Sequence, residues 1–157
     1  AAALTRNFAR DRRVKTIAID GWIALNAYLP PVERRGVVLI DPPFEDADDF
    51  TRLERGLEAA HRNWAGGIYL LWYPIKGRDG PDALARRLKR SGIGKILRAE
   101  LSVAATPGRL GGCGLIVVNP PWMLERELAV ILPALSAILC GAGGGHRGPQ
   151  VRYRPLC

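Results

Sequence analysis

Histidine occurs twice in this chain, methionine once and cysteine three times. His61 and His146 have no partner at ligand spacing, and Cys113, Cys140 and Cys157 are odd in number and far apart. That pattern is no disulfide framework and no metal cluster; it suits a reducing compartment and a protein that binds no metal. Long apolar runs are also missing. No uninterrupted stretch reaches the roughly 18 to 20 residues that a membrane span needs, and the opening residues carry no signal-peptide pattern. A cytoplasmic location away from membranes is therefore expected. Acidic residues are the minority charge: 15 against 23 Lys and Arg leaves +8 over 157 residues. Such a balance suits a polyanionic partner, although a solvated basic face gives the same count. An initiator methionine is absent too, since the chain opens "AAALTRNFARD" and its one Met is Met123. "AAALTRNF" reads as the end of a helix with nothing before it to start it, so an N-terminal portion is expected to be missing.

What is present reads as one domain of strand and helix units. "VKTIAI" (Val14 to Ile19) predicts a buried strand ending in a turn at Asp20-Gly21. "WIALNAYL" predicts a short helix closed by Pro30-Pro31. "GVVLI" and "IYLLWYPI" are continuous apolar runs, as parallel strands covered on both faces should be. Between them Leu53, Leu57, Ala60 and Trp64 recur at helical spacing, and "PDALARRLKRSG" predicts a second helix with Leu84 and Leu88 inward. "KILRAELSV" alternates, with Ile96, Arg98 and Glu100 on one face. The Gly/Pro-rich "TPGRLGGCG" joins it to "LIVVN" in the manner of an antiparallel hairpin. "MLERELAVILPALSAIL" predicts a last helix with Pro133 as a kink. The whole predicts an α/β fold, the second half of a doubly wound sheet with an antiparallel edge hairpin. Residues 1–140 form the expected domain, and 141–157 a flexible, glycine-rich basic tail.

Two strands end in a Pro-Pro turn: "GVVLIDPPFE" at Asp41 and "LIVVNPPWML" at Asn119. An adenine amine is a poor nucleophile, because its lone pair is delocalised into the ring. Methylating it requires acceptors for its two N–H bonds and a nitrogen held in line with an electrophilic methyl. The Asp41 carboxylate and the Pro42 carbonyl are acceptors of that kind. Pro42 and Pro43 fix φ and remove N–H donors, and Phe44 offers a ring on which an extruded base can stack. Alternatively, Asp-Pro-Pro merely ends a strand. Asn119-Pro120-Pro121-Trp122 could accept from an amine as well, but it lies on the predicted hairpin, where it reads as a strand end with Trp122 packed on the last helix.

The stretches "RNFARDRRVKTIAIDGW", "LPPVERRGVVLIDPPFE", "GIYLLWYPIK", "KILRAEL" and "GLIVVNPPW" together resemble the C-terminal half of the bacterial 23S ribosomal RNA adenine-N6 methyltransferases, in that family's order. Homologues were once described as acting in the use of external DNA as a nutrient. The resemblance implies a Rossmann-like class I methyltransferase sheet whose N-terminal half is missing. It implies S-adenosylmethionine (SAM) as methyl donor and 23S rRNA as partner, with Asp41, Pro42, Pro43 and Phe44 as the catalytic motif. It also implies Asp20 and Gly21 as the pair at the SAM adenine, and leaves Asn119 to Trp122 non-catalytic. The family's glycine-rich SAM loop has no counterpart here. "ILCGAGGG" is a poor permuted substitute, with too few residues after it for the helix such a loop requires. A chain lacking that loop is expected to bind SAM weakly or not at all by itself.

Arg86, Arg87, Lys89, Arg90 and Lys95 are the candidate phosphate contacts for RNA, against a plain solvated helix face. Arg147, Arg152 and Arg154 around Tyr153 are a lesser set. A DNA adenine-N6 methyltransferase, which the tetrapeptide permits equally, and an inactive nucleic-acid-binding fragment are the competing functions. Nothing in the residues sets the oligomeric state; a monomer is the simplest expectation.

Overall fold

The computed structural model describes residues 2–46, 48–102, 110–140 and 150–156. Its elements in chain order are α1 (Ala2–Asn7), α2 (Gly21–Ala27), β1 (Val37–Ile40), α3 (Asp49–Asn63) and β2 (Ile68–Pro74). There follow α4 (Asp79–Arg90), β3 (Ile96–Ser102), β4 (Gly112–Val118), α5 (Leu124–Cys140) and β5 (Gln150–Pro155). The five strands form one sheet in the order β1-β2-β4-β3-β5.

β1 and β2 are parallel, joined through α3, while β4 pairs antiparallel with both β2 and β3. The expected hairpin is thus present, but it is not an edge. β4 returns between β2 and β3, and β5 adds outside β3. The tail expected to be flexible over 141–157 contributes a strand over 150–155. Residues 141–149, with His146 and Arg147, lie outside the described residues.

Two other expectations fail. Val14 to Ile19 form no strand: Val14, Ile17 and Ile19 are exposed, and no described strand pairs with the segment. A strand needs a neighbour for its N–H and C=O groups, and apolar sequence alone does not supply one. β1, similarly, is covered on one face only. Ile40 is buried, whereas Val37 and Leu39 on the other face are 59% and 65% exposed.

The core fills the space between the sheet and α3 and α4. Leu53, Leu57 and Ala60 of α3 meet Leu84 and Leu88 of α4 over Tyr69, Leu71, Ile96, Ile116 and Val118. Tyr69 is buried because its hydroxyl donates to the Ala60 and Trp64 carbonyls at 3.0 and 2.7 Å, closing the end of α3. Burial pushes that phenol up to about 12. Pro133 falls inside α5, which nevertheless runs on to Cys140.

Candidate active site

Asp41 follows β1 directly, so the Pro-Pro turn stands at the carboxyl ends of the two parallel strands, where open α/β sheets bind ligands. Its carboxylate is exposed and takes part in no hydrogen bond or ion pair among the described residues. Phe44 has φ +54°, the left-handed region that a non-glycine residue adopts at a cost. That geometry turns its ring inward, 5.1 Å from Phe50 and 6.1 Å from Trp72 between ring centroids. The ring expected to offer a face to a base is thus a core side chain here, 8% exposed.

A cleft of about 660 Å³ opens beside the turn. Asp41, Pro42 and Pro43 form one wall, Asp20 and Gly21 another, and Leu25, Leu39 and Ile40 an apolar floor. The two stretches singled out in the sequence, twenty residues apart, therefore face the same space. Asp20 is the N-cap of α2 rather than the corner of a strand turn. One oxygen, Oδ1, accepts from the Trp22 and Ile23 amides at 2.8 and 3.2 Å. Oδ2 has no partner among the described residues, and a Cβ on Gly21 would have no neighbour within 4 Å beyond its own stretch of chain.

What holds α2 in place is its packing on α3. A Cβ at Gly56 would stand 2.6 Å from the Trp22 ring, so the glycine lets that indole lie flat against the helix. The Arg52 guanidinium covers the ring at 5.5 Å from its centroid. Arg52 also lies 3.8 Å from Asp49, a buried carboxylate that accepts from the Asp46 amide at 3.1 Å and so fixes the bend after Phe44. None of Trp22, Asp49 or Arg52 was singled out from the sequence. Asp49 could have been, since it sits one turn before Leu53 on the same stripe as Leu57 and Trp64.

On the far side of the turn, the amine of Lys76 approaches the Phe44 carbonyl at 3.4 Å. Behind it lies a buried polar network. Tyr73 donates to Glu100 at 2.9 Å, Arg98 to Glu100 at 2.6 Å and to Asp82 at 2.7 Å, and Arg78 to Glu100 at 2.9 Å. Burial alone would raise the Glu100 carboxyl, but the bonds from Arg98 and Arg78 hold it below the ordinary carboxylate range. The alternation of Arg98 and Glu100 on β3 marks no solvent face; both side chains are buried and pair with each other.

The second Pro-Pro turn stands elsewhere. Val118 pairs with Tyr69 near the start of β2, so Asn119 lies at the end of the sheet opposite Asp41. Its amide donates to the Ala65 and Gly67 carbonyls, both at 2.8 Å, with φ +53°. Asn119 is a clamp on the loop before β2. Trp122, expected to pack on α5, is 83% exposed instead.

Arg86, Lys89, Arg90 and Lys95 are exposed. Arg87 is half-buried and ion-paired to Glu54, which makes it a tie between α4 and α3. Ile96 and Val118 are paired neighbours, so Lys89 to Lys95 approach the sheet at its Asn119 end. Asp41 is level with Trp72 and Asn119 with Ile68, so about 13 Å of strand separates the two ends.

Residues 1–151 match the family described as "Ribosomal RNA large subunit methyltransferase D, RlmJ". The chain belongs to this family. It is 41% identical over 145 residues to the ribosomal RNA large subunit methyltransferase J of Escherichia coli K12, covering 91% of this chain and 52% of that protein. The Haemophilus influenzae protein of the same name is 39% identical over 144 residues, covering 90% and 51%. The chain thus spans about half the length of the curated relatives it matches. A crystal structure from Legionella pneumophila superposes with a TM-score of 0.77 at 27% identity, over 87% of this chain and 49% of that one. The described fold is accordingly the mixed α/β arrangement of a methyltransferase family, built here on a five-stranded sheet.

Proposed function

We propose that this chain is the catalytic half of a SAM-dependent methyltransferase acting on the N6 amine of an adenine in 23S rRNA. The observation that carries the reading is the single cleft lined by both Asp20-Gly21 and Asp41-Pro42-Pro43.

The cleft suits the adenosine end of SAM. The open Oδ2 of Asp20 can accept from an exocyclic amine, Gly21 leaves room for the ring to approach the backbone, and the apolar floor matches its faces. SAM, when bound, supplies an electrophilic methyl on its sulfonium. The work left to the protein is orientation and electrostatics. Asp41 accepts one N–H of the target amine and the Pro42 carbonyl accepts the other, which aims the nitrogen lone pair and disperses the positive charge that grows on it. Pro43 offers no N–H to compete for those acceptors. Phe44 presents its ring to the base only after turning out of its contact with Phe50 and Trp72.

The sheet supports a Rossmann-like class I architecture, with the catalytic turn at the carboxyl end of a parallel strand. Arg86, Lys89, Arg90 and Lys95 are proposed phosphate contacts at the other end of the sheet, reached by an RNA long enough to pass along it. DNA remains the second reading, because the acceptor geometry at Asp41 treats both nucleic acids alike. Competition between matched RNA and DNA substrates, with N6-methyladenosine quantified in the digested product, tests the choice. RNA should win through its 2′-hydroxyl contacts and hairpin shape; preferential methylation of DNA would overturn the rRNA assignment.

A further inference from the structure

Lys76 closes the "WYPIK" stretch and overhangs the catalytic turn. β1 and β2 run parallel with Ile40 level with Leu71, so the residues after β2 pass beside those after β1. The side chain is exposed. Its ammonium contacts a neutral acceptor, the Phe44 carbonyl, at a long 3.4 Å, and no carboxylate pairs with it among the described residues.

The ground beneath Lys76 is fixed. The Ile75 amide donates to the Gly112 carbonyl at 2.8 Å. Two residues after Lys76, Arg78 spans Glu100 at 2.9 Å and Asp82 at 3.1 Å, which ties the loop to the buried network. The backbone on either side of Lys76 is therefore anchored, which fixes where its side chain starts beside the turn.

The surroundings are acidic although the chain as a whole is basic. Asp41, Glu45, Asp46, Asp48 and Asp49 follow β1, and Asp79 opens α4. A hollow of about 170 Å³ lies on the Phe44 side of the turn, walled by Phe44, Phe50 and Pro74, with Asp46, Asp79 and Lys76 as its charged lining. A phosphodiester approaching that hollow meets two carboxylates and one cation. Arg52 is on the other side of the turn, engaged with Asp49 and Trp22.

We propose that Lys76 binds the RNA phosphate adjoining the base presented to Asp41, and so offsets the like-charge repulsion of this rim. The proposal rests on the rRNA reading above. It is tested by the anisotropy of a short fluorescein-labelled oligoadenylate bound to the chain over a range of salt concentrations. Lys76→Gln should lower the slope of log Kd against log salt by about 0.7, the share of one phosphate on a single strand, and Lys76→Arg should retain the wild-type slope. An unchanged slope in Lys76→Gln, with wild-type binding intact, overturns the role of Lys76 and leaves the rRNA reading standing. Equal losses in both variants would assign Lys76 to the Phe44 carbonyl alone and also overturn it. No binding by the wild-type chain would overturn a phosphate site at Lys76 in this chain, while the rRNA reading is decided separately by methyl transfer in the extended protein.

Discussion

Tyr73 reaches Glu100 by crossing directly over Gly114. The two residues are linked through that glycine, Tyr73 on β2 pairing with Gly114 on β4 and Gly114 with Glu100 on β3. A Cβ at Gly114 would overlap the Tyr73 ring. The hydroxyl's 2.9 Å bond to Glu100 therefore depends on the absence of one carbon atom. Gly114→Ala should displace the ring, strand part of the network and lower stability by about 1 to 3 kcal/mol. Urea denaturation measures it. A loss under about 0.5 kcal/mol would mean that the ring has another place to go.

The same network sets a pH response. Glu100 and Asp82 are held below the ordinary carboxylate range by Arg98 and Arg78, against the upward push of burial. A depressed folded-state pKa gives stability that is complete above the unfolded value, about 4, and disappears as the pH falls through the folded one. The melting temperature should hold from pH 7 to about 5 and fall below about 4. Glu100→Gln should be less stable at pH 7 and show a shallower fall in acid. Circular dichroism melts across that range decide it, and an acid slope identical to wild type would exclude Glu100 as a source.

The two Pro-Pro turns should respond in opposite ways. Asn119→Ala removes both bonds to the Ala65 and Gly67 carbonyls at a positive φ, and should cost about 1 to 3 kcal/mol. Asp41→Ala removes an unpartnered, exposed carboxylate and should change stability by less than about 0.5 kcal/mol. Parallel denaturation curves compare them. A strongly destabilised Asp41→Ala would make that aspartate a structural group.

Gly21 gives a test of the cleft that leaves the protein's own packing intact. A Cβ there has no neighbour within 4 Å beyond its own stretch of chain, and Gly21 lines the cleft, so a larger side chain should compete with the adenine proposed to bind there. In a protein that binds SAM, Gly21→Leu should abolish binding with the melting temperature unchanged or raised. Calorimetric titration checks it, and undiminished affinity would move the cofactor away from Asp20-Gly21.

Much of this was legible in the residues, for identifiable reasons. Asp41 could be placed at a strand end because "GVVLI" is a continuous apolar run and prolines punctuate it unambiguously. The Leu53, Leu57 and Leu84, Leu88 stripes gave α3 and α4 by spacing alone. Val14 to Ile19 misled because an apolar run states a wish to be buried, not the presence of a strand beside it. The alternation in β3 put Arg98 and Glu100 on one face with Ile96 but could not say that this face is buried, because their partners Tyr73, Asp82 and Arg78 come from other elements. Asp20 and Gly21 were singled out as well, but what holds their wall in place was hidden for a third reason. It depends on Gly56 admitting Trp22, a contact between two helices that local periodicity does not encode.

The central claim is that Asp41 holds the amine that receives the methyl group. Its most direct test is transfer of labelled methyl from SAM to protein-free, undermodified 23S rRNA, with this chain run beside a version extended upstream and each paired with Asp41→Ala. The account predicts that transfer occurs in the extended, Asp41-intact protein and is abolished by Asp41→Ala, the variant staying folded. Transfer at the wild-type rate by Asp41→Ala would contradict it.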